Sequence, residues 1–151
     1  MPADCRIVLV LLLAALAPLQ ANAALGGLVS SVEADQIHMH AARKVTAAGA
    51  YTVHEITLPS GTAVREFVSS ATGQVFAVAW HGPFMPDLKQ VLGDQFDTFV
   101  QAAGSAGLRR SNVLVNRPGL VVHSGGHMRA FFGKAYLPGQ LPAGVHVEDI
   151  R

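Results

Sequence analysis

The sequence is nearly without cysteine: its only one, Cys5, precedes the first apolar run. A disulfide framework or a cysteine-ligated metal site needs several thiols, so both are excluded. Small exported domains often depend on disulfide bonds. If the first residues are cleaved off, the remaining chain has no thiol, and its stability must come from packing.

Charged residues are also few, at 14% of the sequence, and the 11 basic residues nearly balance the 10 acidic ones. They are scattered along the chain rather than grouped. Nucleic-acid binding needs a clustered basic surface, and Arg109 with Arg110 is too small a patch. We therefore predict no nucleic-acid partner.

Long apolar runs are absent except for residues 7–17, which follow Arg6 and precede an Ala-Asn-Ala site that ends at Ala23. This three-part pattern is typical of a secretory signal peptide. The run is about half the roughly 20 residues that a membrane-spanning helix needs. We expect residues 1–23 to be cleaved off, and the rest to be periplasmic or secreted with no stable membrane insertion.

Residues 24–151 form one predicted domain, because no linker or repeat divides them. The first part, residues 24–50, has two interpretations. Ser30 with Glu33 is a capping-box pattern that would open a short helix. Alternatively, this part is a loosely packed arm, since its apolar residues are mostly alanine and bury little surface.

The middle of the chain predicts strands. The segments "YTVHEITL", "TAVREFVS" and "VFAVAW" alternate or are rich in β-branched residues, and short glycine-containing turns separate them. Such a pattern indicates an antiparallel meander. Because charges on neighbouring strands pair across the sheet surface, we expect Glu55, Arg65 and Glu66 to be exposed and paired.

A helix and further strands follow. Asp87 is placed to cap a helix that continues to Gly104, with apolar residues at helical spacing. "GLVVH" and "MRAFFGKAYL" predict two more strands, and "NVLVN" is a weaker candidate. The order β-β-β-α-β-β predicts an α+β fold, with an antiparallel sheet of about five strands packed against one main helix.

Three long runs carry a resemblance to a known family: "YTVHEITLPSGTAVREFV", "VFAVAWHGPFMPDLKQVLG" and "LVVHSGGHMRAFFGKAYLPGQLPAGV". Together they resemble an uncharacterised family of small exported proteobacterial proteins, known as a domain of unknown function. The likeness covers nearly all of residues 24–151. It implies a location in the bacterial cell envelope, and it implies no activity, ligand or catalytic residue.

One candidate binding segment is "WHGPFMPDL", in which two prolines stiffen a loop that carries Trp80, His81, Phe84 and Met85. Aromatic and methionine side chains on a rigid loop are typical of recognition sites. The alternative is that Trp80 and Phe84 close the core where the helix meets the sheet.

A second candidate segment is "HSGGHMR", which adds His123, Ser124, His127 and Arg129. Its two glycines predict a tight turn between paired strands. The two segments together predict a non-catalytic binding or accessory module, whose partner is an envelope protein or a small ligand. We expect a monomeric or weakly associating protein.

Histidines offer an alternative function. Imidazole is the commonest protein ligand for zinc and copper, and His123, His127 and His81 would form a site if the predicted turn brought them together. Zinc sites use three or four ligands at defined spacing, whereas this set rests on one pair. No cofactor other than such a zinc or copper ion is predicted.

The remaining alternative is a small hydrolase with Ser124 as nucleophile and His123 or His127 as base. The run "HSGGH" does not match the nucleophile-elbow pattern of serine hydrolases. The sequence therefore favours a binding module over an enzyme.

Overall fold

The computed structural model of the protein describes residues 25–38, 40–106 and 112–151. The predicted signal peptide and the Arg109–Arg110 pair lie outside the described residues. No helix within the described ranges has both the length and the apolar character needed to cross a membrane.

An antiparallel sheet of seven strands forms the centre of the fold, and its strand order is β1-β2-β3-β4-β7-β6-β5. The α+β class is confirmed, but the prediction of about five strands is too low. The strands are β1 (Ala42–Ala47), β2 (Tyr51–Thr57), β3 (Ala63–Ser69), β4 (Val75–Gly82), β5 (Asn112–Arg117), β6 (Leu120–His127) and β7 (Ala130–Tyr136). The α-helices are α1 (Val29–His38), α2 (Leu88–Leu92) and α3 (Phe96–Ala106).

The two additional strands, β1 and β5, are the edges of the sheet. Residues 24–50, for which the sequence left a helix or a loose arm open, contain α1 followed by β1. Five of the six β1 residues are exposed, so buried and exposed residues do not alternate along this strand. Its pairing with β2 makes it a strand. An edge strand of this kind is invisible to a search for hydrophobic periodicity.

The predicted main helix is interrupted at Gly93. Asp87 caps α2 as expected, since its carboxylate accepts hydrogen bonds from the main-chain N–H groups of Lys89 and Gln90 at 2.9 and 3.4 Å. Gly93 has φ 49° and ψ −124°, a conformation that residues with a side chain rarely adopt. A short 3₁₀ segment, Gly93–Gln95, then leads into α3. One continuous helix was therefore a wrong prediction, because glycine at this position ends α2.

The helices and the sheet share the larger core. Its central side chains are completely or almost completely buried, at 0–3% exposure, and come from β2, β3, β4, β6 and β7 as well as from α1 and α2: Val32, Ile56, Val64, Val78, Trp80, Leu92, Val122 and Ala135. We call this side of the sheet the helix face.

The opposite side of the sheet is covered by the C-terminal segment, residues 137–151, and we call it the tail face. Ile150, which is 1% exposed, packs there with Phe67 and Phe76. The rings of Tyr51 and Phe76 meet edge to face at 6.0 Å. Sequence patterns gave this proline- and glycine-rich segment no packing role, yet it closes the second core.

The three charged residues that were expected at the surface, Glu55, Arg65 and Glu66, lie on two different faces of the sheet. Arg65 Nε donates to Glu55 Oε2 at 2.6 Å, which confirms that pair. Glu66 is 1% exposed on the helix face, where it lies opposite His54 of β2, so its predicted exposure is wrong. Consecutive strand residues point to opposite faces, and Arg65 and Glu66 therefore cannot share one.

His54 is likewise buried, at 5% exposure. Its Nε2 lies 3.2 Å from the Thr52 hydroxyl. Burial lowers the pKa of His54 because it penalises the charged imidazolium, and the positive charge of Arg43 lowers it further, while Glu33 partly opposes both. Burial of His54 therefore favours the neutral form of its imidazole.

A candidate binding surface at one end of the sheet

The "HSGGH" run is not a turn. β6 continues through His127, which pairs with Ala130, and the chain reverses at Met128 and Arg129. Arg129 has φ 68°, a left-handed conformation that is uncommon for a residue other than glycine. The turn that was predicted at Gly125 and Gly126 therefore lies at Met128 and Arg129 instead.

The two glycines have a different role: they allow close approach inside the sheet. A Cβ atom on Gly125 would overlap the side-chain oxygen of Asn112 and meet the Phe132 ring. Gly126 has φ 128°, and a Cβ there would overlap the main-chain oxygen of Ala130. Glycine in a strand often marks such a close approach rather than a reversal.

Strand pairing brings the two candidate segments to the same end of the sheet. Gly82, the last residue of β4, pairs with Phe131 of β7, and Phe131 pairs with Gly126 of β6. Two inter-strand spacings and three residues along the strand separate Trp80 from His127, which corresponds to about 14 Å. A joint surface is geometrically allowed, and its use for binding stays a prediction.

The loop that follows β4 is held rigidly. The Thr62 hydroxyl donates to the main-chain oxygen of Phe84 at 2.7 Å and accepts from its N–H at 3.3 Å. Gly82 has to be glycine here, because a Cβ would overlap Thr62. Pro83 and Pro86 restrict the backbone further, and Pro86 is buried.

Large apolar side chains project from this end of the sheet. Met128 is 85% exposed, Phe84 59% and Met85 38%. We call these three residues, together with the flanking His127 and Arg129, the apical surface. Burial of such side chains against a partner would remove a substantial apolar area from water.

Four predicted binding residues do not contribute side chains to this surface: Trp80, His81, His123 and Ser124. Trp80 is 3% exposed and its ring packs over Gly133. The alternative that Trp80 closes the core is therefore correct, whereas for Phe84 it is wrong. Ser124 is 6% exposed in β6.

The position of Ser124 also bears on the hydrolase alternative. Ser124 pairs with Gly133, which places it on the helix face with Trp80. His123 and His127 alternate with it along β6 and lie on the other face. The geometry does not assemble the predicted serine-histidine pair.

The predicted metal ligands do not converge either. His127 is four residues beyond His123 on the same strand, or about 13 Å away, because no turn intervenes. His81 pairs with Phe132, and this aromatic residue stands between His81 and β6. Within residues 25–38, 40–106 and 112–151, no group of three or more potential ligands is arranged to hold a metal ion.

A cavity of about 510 Å³ adjoins the apical surface on the tail face. Of the predicted binding residues, His81, His123 and Trp80 are among its lining residues. Small or apolar residues and three cationic side chains make up the rest of the lining: Ala63, Ala79, Phe132, Gly133, Ile150, Arg65, Lys134 and Arg151. We call this the sheet-face cavity.

The sequence reasoning missed Phe132 and Lys134 for an identifiable reason. Both alternate outward on β7, a signal that is present in "AFFGKAY". Their meaning depends on β7 lying between β4 and β6, because only this order places Lys134 between Ala79 and His123. Strand order is not encoded in the periodicity of any one strand.

These features define an α+β protein with an exposed apical surface and an adjoining cavity. The family described as Protein of unknown function (DUF2844) matches residues 21–150, and the chain belongs to it. The resemblance to a domain of unknown function is thereby confirmed. A search of curated proteins and a search of solved structures gave no match.

Proposed function

We propose that this protein is a non-catalytic binding module of the bacterial cell envelope, and that its apical surface docks an apolar segment of another envelope protein. The signal-peptide pattern predicted at residues 1–23 supports the location. The apical surface supports the mode of action.

One observation carries the proposal. Two segments more than thirty residues apart in sequence lie at the same end of the sheet, and they expose Phe84, Met85 and Met128 there. An isolated exposed apolar residue needs no explanation, but a group on a rigid loop and a tight turn is typical of an interaction site. Methionine adapts its shape to a partner, and aromatic residues often contribute most of the binding energy.

The backbone around Phe84 adds a second argument. Both main-chain hydrogen-bonding groups of Phe84 are bound to the Thr62 hydroxyl. The ring is therefore presented by a backbone that loses little conformational freedom on binding, which is the advantage of a pre-organised surface.

Export can be tested directly. In a bacterial host that secretes the chain, we expect the protein in the periplasmic fraction with Ala24 as its first residue. Recovery from the cytosol with residues 1–23 still attached would contradict the location.

Docking can be tested by site-specific photocrosslinking in cells. A photoreactive amino acid at Met128 should give one defined crosslinked product, and Phe84→Ser should abolish it. The same probe at Val45, which is 49% exposed on edge strand β1, is the matched control and should not give that product. The partner protein in that product, once identified and purified, should bind the wild-type protein. Its affinity for Phe84→Ser should be at least about tenfold lower.

Two results would contradict docking at the apical surface. Equal crosslinking from Met128 and Val45, or a product that persists in Phe84→Ser, would show that the apical surface is not the docking site. In either case the exposed residues would be ordinary surface residues.

A further inference from the structure

The sheet-face cavity has a charge pattern that docking at the apical surface does not use. We infer that it binds a small organic anion with a flat apolar body, of the class of aromatic carboxylates. This ligand would be bound in addition to the protein partner, and the argument does not rest on the proposed docking.

The anionic group is indicated by Lys134. Lys134 lines the cavity, and its ammonium group donates to the main-chain oxygens of Val147 and Ile150 at 3.0 and 3.4 Å. Carbonyl oxygens fix the position of an ammonium group without cancelling its charge. The ion pairs Glu33–Arg43 and Glu55–Arg65 do not involve Lys134.

The remaining polar lining has the same sign. Arg65 and Arg151 line the cavity with Lys134, while His81 and His123 add imidazole N–H donors. None of the described lining residues is an aspartate or glutamate. Arg65 is paired with Glu55 and contributes little net charge, which leaves Lys134 as the principal anchor.

The apolar body is indicated by the floor and walls. Ala63 and Ala79 present only small side chains on this part of the tail face, which leaves the floor flat. Phe132 is 42% exposed, and its ring meets that of His123 edge to face at 6.0 Å. A planar ring fits this wall by aromatic contact.

The size of the cavity is consistent with such a ligand. At about 510 Å³ it lies within the range of small-molecule sites. Ile150 of the C-terminal segment closes one side, so the ligand would contact both the sheet and the tail.

The test uses two probes of the same shape and different charge, 2-naphthoate and 2-naphthamide, titrated into the mature protein by calorimetry and amide NMR. We expect saturable binding of naphthoate at least about fivefold tighter than that of naphthamide, because only the former pairs with Lys134. The shifted amides should lie in β4, β6, β7 and the tail.

Variants separate the charge from the apolar contact. Lys134→Gln should reduce naphthoate affinity to that of naphthamide, and Lys134→Arg should retain most of it. Lys44→Gln, which removes an exposed cation from β1, is the control for net charge and should have no effect. Phe132→Ala should weaken both probes equally, and as an exposed position it should leave the fold intact even if Lys134→Gln loosens the tail.

Several results would overturn the inference: no saturable binding of naphthoate at millimolar concentration, equal affinity for the two probes, or equal losses in Lys44→Gln and Lys134→Gln. Phe84→Ser should leave naphthoate binding unchanged. Failure of docking and failure of this inference are therefore distinguishable.

Discussion

The two faces of the sheet use the same strands in different ways. On the helix face, large side chains such as Ile56 and Leu92 are sealed completely at 0% exposure. On the tail face, Ile150 covers only part of the sheet and leaves the cavity beside it. The difference shows that a short terminal segment without regular helices closes a core but does not cover a seven-stranded sheet.

Neighbouring residues of the same strand differ in exposure because they lie on different faces of the sheet. Trp80 is buried while His81 is exposed, and Ser124 is buried while His123 is exposed. Because a one-residue step changes the face, chemistry that looks contiguous in sequence is split between a core and a surface.

The largest expected effect is on the helix face. Leu92→Ala should lower the free energy of unfolding by about 3 kcal/mol, because Leu92 is fully buried and its truncation leaves a cavity. Denaturant unfolding monitored by circular dichroism would measure this. Leu114→Ala, at a position 66% exposed, is the control and should cost under about 0.5 kcal/mol.

The tail face should show a smaller cost. Ile150→Ala should destabilise the fold by about 2 kcal/mol, the low end for such a truncation, because the segment around Ile150 contains no α-helix or strand and relaxes into the space more easily than α2 does. Near-ultraviolet circular dichroism should also change, since Tyr51 and Phe76 lie in the same cluster. A loss equal to that of Leu92→Ala would remove the distinction between the two faces.

The third prediction concerns pH and the buried His54. Its pKa is lowered in the folded protein, so between that value and the ordinary 6.5 the unfolded chain binds more protons. Stability from this group is therefore complete above pH 6.5 and is lost as pH falls through the lowered pKa. We expect the stability of His54→Gln to change less with pH than that of the wild type.

The control for this pH effect is His127→Gln, because His127 is exposed at the end of β6. Thermal unfolding midpoints between pH 7.5 and 5 would measure the slopes. If the His54 and His127 variants had the same slope as the wild type, burial of His54 would have no part in the acid sensitivity.

The smallest effect is expected for the Glu55–Arg65 pair on the tail face. These side chains are 33% and 44% exposed, so their coupling should be under about 1 kcal/mol and should fall with salt. A double-mutant cycle with Glu55→Gln and Arg65→Gln at low and high ionic strength would measure it. Coupling that is insensitive to salt would indicate a buried pair and contradict the exposed geometry.

Local features were predictable from sequence because their causes are local. The alternation in β2 and β3 and the Asp87 cap depend on residues within a few positions of one another. The edge strand β1 and the interruption at Gly93 were not, since the first depends on a partner strand and the second on one backbone angle.

The candidate site was predictable only in part. The two segments that form the apical surface stood out by composition, and Phe84, Met85, His127 and Arg129 are at the surface. Their convergence depends on β7 lying between β4 and β6. The glycines of "HSGGH" were misinterpreted because a turn and a close approach both require glycine, and sequence alone does not distinguish them.

The sequence by itself determined the family, the α+β class and the alternation that gives every strand two faces. Only the tertiary structure decided which face each helix or tail covers. Because of this packing, Glu66 and Ser124 are buried, Phe132 is exposed, and Lys134 lines one cavity together with two histidines. The physical reason is that periodicity specifies which residues share a face, whereas burial depends on what packs against that face.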